Sequence, residues 1–242
     1  MAGMATRTTR RSQRRTEALS RERIVGAAVE LLDSAGEGGL TFRALAERLS
    51  TGSGAIYWHV ANKDELLGAA TDAVIAGALP AGPGDPAAGP REEIRAVALG
   101  LFVAIEEHPW LATQLSAQMA RNPWGPVTPR IFERVGRRVR ALDVPEENWF
   151  TATSVLVHYV LGAAGQNAAN TAGARALGPD ADRAAFLDSV AKAWEDLDPE
   201  DYPLTRAAAD QIRDHDDREQ FLAGVDLVLA GVMTLRPAAP PS

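Results

Sequence analysis

The chain has no cysteine. That excludes a disulfide framework and thiolate chemistry, and it fits a reducing, cytoplasmic setting. Only four histidines occur, His59, His108, His158 and His215, and none forms an H-x-x-x-H or H-E-x-x-H pair. No glycine-rich phosphate loop is present. The acidic clusters at 195–201 and 214–219 read as solvated caps and loops. An enzyme is therefore not expected, and neither are catalytic residues, a cofactor or a bound metal. The first twenty residues hold no apolar run, which predicts no signal peptide. The longest uncharged stretch, Trp149 to Ala174, contains Thr, Ser, His, Gln and Asn. It reads as a buried helix and not a membrane span. Strand-like alternation is missing throughout, and no repeat of the solenoid kind occurs.

What is present is unevenly distributed. The net charge is −7, yet residues 1–63 carry ten Lys+Arg against six Asp+Glu, and the remainder fifteen against twenty-six. One end is suited to polyanions and the other is not. Arg7, Arg10, Arg11, Arg14, Arg15, Arg21 and Arg23 precede the first apolar helix. Two readings fit them: a solubilising tail, or an arm drawn to phosphates or a narrow minor groove.

Helical periodicity recurs along the chain and predicts an all-α fold. Ser20 is a good N-cap for a first helix ending near Gly36, with Ile24, Ala28, Leu31 and Leu32 on one face. Thr41 caps a short second helix. "STGS" is a turn, and a third helix spans about 53–59. A fourth follows Asn62 and runs to about Leu79. The segment 80–90, "PAGPGDPAAGP", has four Pro and three Gly in eleven residues, so it reads as a linker. Further helices are expected at 91–107, after the break at "HPW", and near 128–142, 146–170, 180–197 and 217–235. The expected organisation is a disordered basic arm (1–19), a helix-turn-helix DNA-binding domain (20–79), the linker (80–90), a helical ligand-binding and dimerisation domain (91–236) and a disordered tail (237–242).

The stretch "GSGAIYWHVANKDELL", Gly52 to Leu67, crowds aromatic and cationic groups onto one short element. Two short helices with a glycine-containing turn form the helix-turn-helix pattern. A recognition helix needs small residues at its leading end, and Gly52, Ser53, Gly54 and Ala55 supply them. Tyr57 can donate to a phosphate, and Lys63 can neutralise one at a helix N-terminus.

"LTFRALAERLSTGSGAIYWHVANKDELL" resembles the DNA-binding domain of TetR-type repressors over about residues 20–79. The matching positions are Thr41, Arg43, Leu45-Ala46, Ile56-Tyr57-Trp58-His59-Val60, Asn62-Lys63 and Leu66-Leu67. The resemblance implies double-stranded DNA as partner, with Thr41 opening helix two. It implies that Arg43 reads a guanine edge, and that Ser53, Gly54 and Ala55 face bases or phosphate. Tyr57, His59 and Lys63 would contact the backbone, with Trp58 mixing packing and contact. Gly52 and Gly54 depart from the tetracycline repressors, which carry a base-reading glutamate and a proline there, so the operator sequence does not carry over.

The second half resembles the tetracycline-repressor type of C-terminal domain through "EEHPW", "TSVLVHYVLGAAGQN" and "QFLAGVDLVLAGV". That resemblance implies a homodimer made by the helices near 146–170 and 217–235, and a small-molecule effector. The last helix has Asp226 as its only charge between 220 and 235, so burial on more than one side is expected. Interior candidates for the effector site are Phe102, His108, Trp110, Met119, Trp124, Phe150, His158 and Tyr159, with Gln118 and Gln166 as polar fixings. His108 matches the metal-chelate histidine of the tetracycline repressors. Leu79, Leu111 and Gln166, however, replace the His, Thr and Glu that accompany it. A hard cation would lack its oxygen ligands, so the expected effector is largely apolar and metal-free. A DNA-binding regulator without a small-molecule effector is the alternative.

Overall fold

The structure, a computed structural model, describes residues 19–79, 88–176 and 183–237. The arm up to residue 18, residues 80–87 of the linker, residues 177–182 and the tail from 238 lie outside the described residues. Among the described residues every regular element is helical.

Helix starts follow local chemistry. α1 (Arg21–Gly39) is capped by the Ser20 hydroxyl, which accepts from the Arg23 N–H at 3.3 Å. Gly36, with φ 63° and ψ −172°, interrupts it in a backbone conformation open to glycine and strained for any other residue. α2 (Phe42–Leu49) is capped by Thr41, whose Oγ1 accepts from the Ala44 N–H at 3.1 Å. Ser50 closes it in the left-handed region, and the Thr51 N–H returns to the Ala46 carbonyl. α3 (Ser53–Tyr57) stops short of the expected His59. α4 (Lys63–Ala78) starts at Asn62, whose Oδ1 accepts from the Glu65 N–H at 2.8 Å.

α5 (Pro90–Glu107) opens on a proline, whose missing N–H costs nothing in a first turn. α6 (Trp110–Arg121) is the restart after "HPW", and α7 (Val127–Ala141) follows. After a 3₁₀ turn at Glu146–Asn148, α8 (Trp149–Ala176) runs on past the expected end at 170. α9 (Arg183–Glu195), two short helices α10 (Pro203–Ala207) and α11 (Ala209–Arg213), and α12 (Asp217–Met233) complete the chain.

Two apolar cores result. The first, a head, buries Ile24, Leu32, Leu45, Ile56, Val60 and Leu66 among others. The second, a body, centres on α5 and α8 with α7 and α12 against them. Each fully buried Ile or Leu contributes about 1.5–3 kcal/mol of transfer free energy. α4 serves both cores. Its Leu66, Leu67 and Ala70 join the head, and Ile75 and the following Leu79 join the body. The shared helix and Trp110, which packs on both cores, tie the two together. A Cβ at Gly100 would lie 2.8 Å from the Ala78 carbonyl oxygen, so α4 and α5 approach closely there.

α12 is anchored by ion pairs within its apolar stretch. Asp226 is the ion-pair anchor of that helix: Arg91 reaches it at 3.1 Å and Arg95 closes on its other oxygen. Hydrogen bonding from Arg95, and then from Arg91, holds the Asp226 carboxyl below the usual aspartate range. In the single chain α12 is buried on one face only, through Phe221, Val225, Leu229 and Val232.

Candidate nucleic-acid interface and effector region

The α2–turn–α3 surface is built so that its apolar groups point inward and its candidate contacts point outward. Ile56 is fully buried and fixes α3 on the head. Tyr57 stacks on Phe42, with ring centroids 4.4 Å apart and planes 7° from parallel. That contact sets α3 against α2 while Tyr57 stays 54 % exposed. Phe42 is a residue that the sequence reading missed, although its place directly after the Thr41 cap was the available signal.

Ser53 and Gly54 are exposed, and Ala55 is half-buried. A Cβ at Gly52 or Gly54 would meet nothing within 4 Å, so the leading end of α3 is open to close approach. Gly52 has φ −83°, so it is the missing side chain and not an unusual backbone that matters there. Trp58 is 90 % exposed. Arg43 is exposed and paired with Glu47 one turn along α2, at 3.0 Å. An exposed pair of this kind is worth well under 1 kcal/mol and yields readily to a competing acceptor.

Other candidates are tied down. The Thr41 hydroxyl is committed to its cap. Lys63 Nζ donates to the Glu37 carbonyl at 2.7 Å. The His59 carbonyl accepts from Arg21, which also pairs with Glu65 at 2.8 Å. Arg21 thus clamps α1, the end of α3 and α4 together, a role that its place in the basic run did not signal.

The body candidates divide into four groups. Phe102 is buried and packs on Phe221 of α12, centroids 4.6 Å apart. Tyr159 also lies over Phe221, and its hydroxyl donates to the Phe221 carbonyl at 3.1 Å. Burial pushes the Tyr159 phenol pKa up. These two, with the half-buried Met119, belong to the packed core. His108 and Trp110 converge elsewhere, on one carboxylate. His108 Nδ1 and Trp110 Nε1 each lie 2.7 Å from Asp33 Oδ1 at the end of α1. They join body to head, with Gln114 and Glu37 making a parallel contact at 2.9 Å.

Gln118 faces Gly68 of α4 and accepts from the Asn122 amide. The remaining four correct the interior expectation. Trp124 is 81 % exposed in its Pro-Trp-Gly-Pro turn, and Phe150 is 73 % exposed beside Phe132. His158 and Gln166 lie on the exposed face of α8, where Gln166 donates to Asn170 at 2.9 Å. Aromatic or polar identity does not reveal which face of a helix turns inward when both faces carry apolar residues. Leu111 and Leu79 are buried core residues, and Gln166 is exposed on α8.

Comparisons with known proteins agree along the length of the chain. Residues 24–70 match the family described as bacterial regulatory proteins, tetR family, and residues 83–236 match the tetracyclin repressor-like C-terminal domain. An HTH-type transcriptional regulator of Saccharopolyspora erythraea is 39% identical over 43% of this chain and 44% of its own length. The HTH-type transcriptional repressor DrrR1 of Streptomyces coeruleorubidus is 33% identical over 60% of this chain and 53% of its own. The chain thus spans about half the length of these curated relatives. The solved structure of SCO7222, a TetR transcriptional regulator from Streptomyces coelicolor, is 64% identical, with a TM-score of 0.82 over 91% of this chain and 100% of that one. ActR of the same organism, solved in complex with (S)-DNPA, is 25% identical, with a TM-score of 0.69 over 90% and 98%.

Proposed function

Because the chain belongs to the TetR family of bacterial regulatory proteins, we propose that it is a dimeric, ligand-responsive transcriptional repressor that binds a palindromic operator. The observation that carries this reading is the open leading end of α3. A Cβ added at Gly52 or Gly54 would meet no described atom within 4 Å, Ser53 is exposed beside them, and Trp58 is exposed behind. Small residues let a helix backbone approach base edges in the major groove. Arg43, held only by an exposed pair, is free to exchange Glu47 for a guanine edge. Tyr57, His59 and Lys63 are the proposed phosphate contacts, and Ser53, Gly54 and Ala55 face the groove. The division into a DNA-binding unit at 20–79 and an effector and dimerisation unit at 91–236 belongs to the same reading.

Dimerisation is supported by an uncovered small and apolar face on α8 and α12. Leu227 is 76% and Val155 46% exposed in the single chain. Ala223, Ala230 and Gly231 surround Leu227, and Gly162 lies two turns beyond Val155. Small residues allow close helix crossing, so pairing with a second copy would bury this face. His158 shares it.

The effector reading is supported by ActR's small-molecule complex and by this chain's own departures. With Leu111 and Leu79 in the core and His108 engaged by Asp33, the described residues offer a hard cation no oxygen cage. The effector is therefore a largely apolar organic molecule. Its binding would lower operator affinity by as much as it favours the non-binding state.

The deciding experiment is selection of operator sites by the full chain, followed by titration on variants of the selected site. The expected result is a palindrome with half-site centres about one or more helical turns apart. A site without two-fold symmetry would overturn the dimeric reading. Calorimetry with tetracycline, with and without magnesium, tests the effector class. Micromolar or tighter binding that requires magnesium would restore a metal-chelate effector.

A further inference from the structure

A cleft of about 570 Å³ lies between the head and the body, away from the open end of α3. Its volume is within the range of small-molecule sites, roughly 300–1,000 Å³. One wall is α1 and α4, the other the α6–α7 turn. The α1 and α4 wall is a shelf of small and apolar residues, Val25, Gly26, Val29 and Gly68 among them. A Cβ at Gly26 would meet nothing within 4 Å, so the shelf is open at its middle. The opposite wall offers the linked carboxamides of Gln118 and Asn122.

The rim is mainly acidic. Glu22, Asp64, Glu65 and Asp72 line the cleft, against Arg21 as the only cationic lining residue among the described residues. Arg21 is already paired with Glu65 at 2.8 Å, and Arg130 pairs with Asp72 at 2.8 Å from outside the lining. Among the described residues neither Glu22 nor Asp64 makes a salt bridge within 4 Å, although Glu22 accepts from Ser20 and lies in the field of Arg21. An anion would face this rim unfavourably. A cation with an apolar body would place its charge between Glu22 and Asp64 and its body on the glycine shelf.

We propose that this cleft, whose far wall includes Gln118, binds a small organic cation with an apolar body. The occupant touches α1 and α4 of the head and the α6–α7 turn of the body at once. Its affinity is therefore linked to the head's position, and reciprocally so. The proposal goes beyond the repressor reading and does not depend on the identity of the body's effector.

The test is calorimetry on the full chain with tetraphenylphosphonium, and with tetraphenylborate as an anion of the same shape. The wild-type chain is expected to bind the phosphonium saturably, one per chain, and to bind the borate at least tenfold more weakly. Gly26→Leu fills the shelf from an exposed position and should weaken phosphonium binding at least tenfold. The double variant Glu22→Gln, Asp64→Asn changes only rim carboxylates and should weaken it about fivefold or more, with a smaller salt dependence. Phosphonium binding of undiminished strength in both variants would overturn the proposal, as would equal binding of the borate or no saturable binding at all. Should Gly26→Leu fail to fold, the rim variant decides alone. Operator titrations of the same variants without the cation separate the two readings. Retained operator binding together with undiminished cation binding sinks this site and leaves the repressor reading intact.

Discussion

The head and the body use their residues differently. In the head, buried apolar groups alternate with exposed polar and aromatic ones, although Tyr57 and Lys63 also hold the fold through Phe42 and the Glu37 carbonyl. Ile56 and Val60 are buried, and between them Tyr57, Trp58 and His59 turn outward or lie half-buried. In the body one residue often has to serve both ends. Phe102 and Tyr159 were candidates for an effector, yet they are committed to Phe221 and the α12 backbone. A surface evolved for contact can be changed without unfolding the chain. A core that also shapes a site cannot.

The largest test of that difference is at the outer face of the body. Leu227→Arg would put a charge on the uncovered face of α12. We expect a monomer by sedimentation and an operator affinity at least about 30-fold weaker, since central apolar anchors commonly carry 2 kcal/mol or more. A variant that stays dimeric would place the interface elsewhere.

The sharpest contrast is one substitution made at two helical glycines. A Cβ at Gly224 would overlap the Tyr159 hydroxyl, so Gly224→Ala should destabilise the fold by about 1–3 kcal/mol in urea denaturation. Gly54 has open space. Gly54→Ala should leave stability unchanged or raise it by up to about 1 kcal/mol, while weakening operator binding. Loss of stability at both sites would erase the distinction between head and body.

Arg43→Ala should cost roughly 1–3 kcal/mol of operator affinity, concentrated at one base pair. An equal loss on every operator variant would remove the base-reading role. Deleting residues 1–15 removes five arginines. The log–log salt slope of binding should become shallower by up to about four units, and an unchanged slope would mean that the arm stays off DNA.

The smallest expected effect concerns pH. The Asp226 carboxyl is held below its ordinary range by Arg95 and then Arg91. Its contribution is therefore present above the unfolded aspartate pKa and is lost as pH falls through the lower folded one. Asp226→Asn should cost no more than about 1 kcal/mol at neutral pH and should flatten the acid limb of the stability curve. An acid limb as steep as that of the wild type would assign the dependence to other carboxylates.

Much of the helical order was legible because the signals are local. Ser20, Thr41 and Asn62 were read as caps, and each accepts the backbone N–H three residues on. Gly36 marked the break in α1, and Pro90 fits the start of α5. The short helices α10 and α11 lacked enough length to show a period. α8 ran past its expected end because Asn and Gly in "QNAANTAGA" lower helix propensity without stopping a helix that packs along one side.

The sequence by itself determined the all-α class, the caps and turns, and the motif from Thr41 to Leu67, because these depend on residues within one or two turns of each other. Tertiary structure alone decided which polar groups were already engaged. Asp33 is far from His108 and Trp110 in sequence, yet it holds both, and Glu37 holds Gln114 and Lys63. It also decided that Trp124, Phe150, His158 and Gln166 face outward. Burial is a property of what lies across from a residue, and a helix with apolar residues all round does not say which side will find a partner.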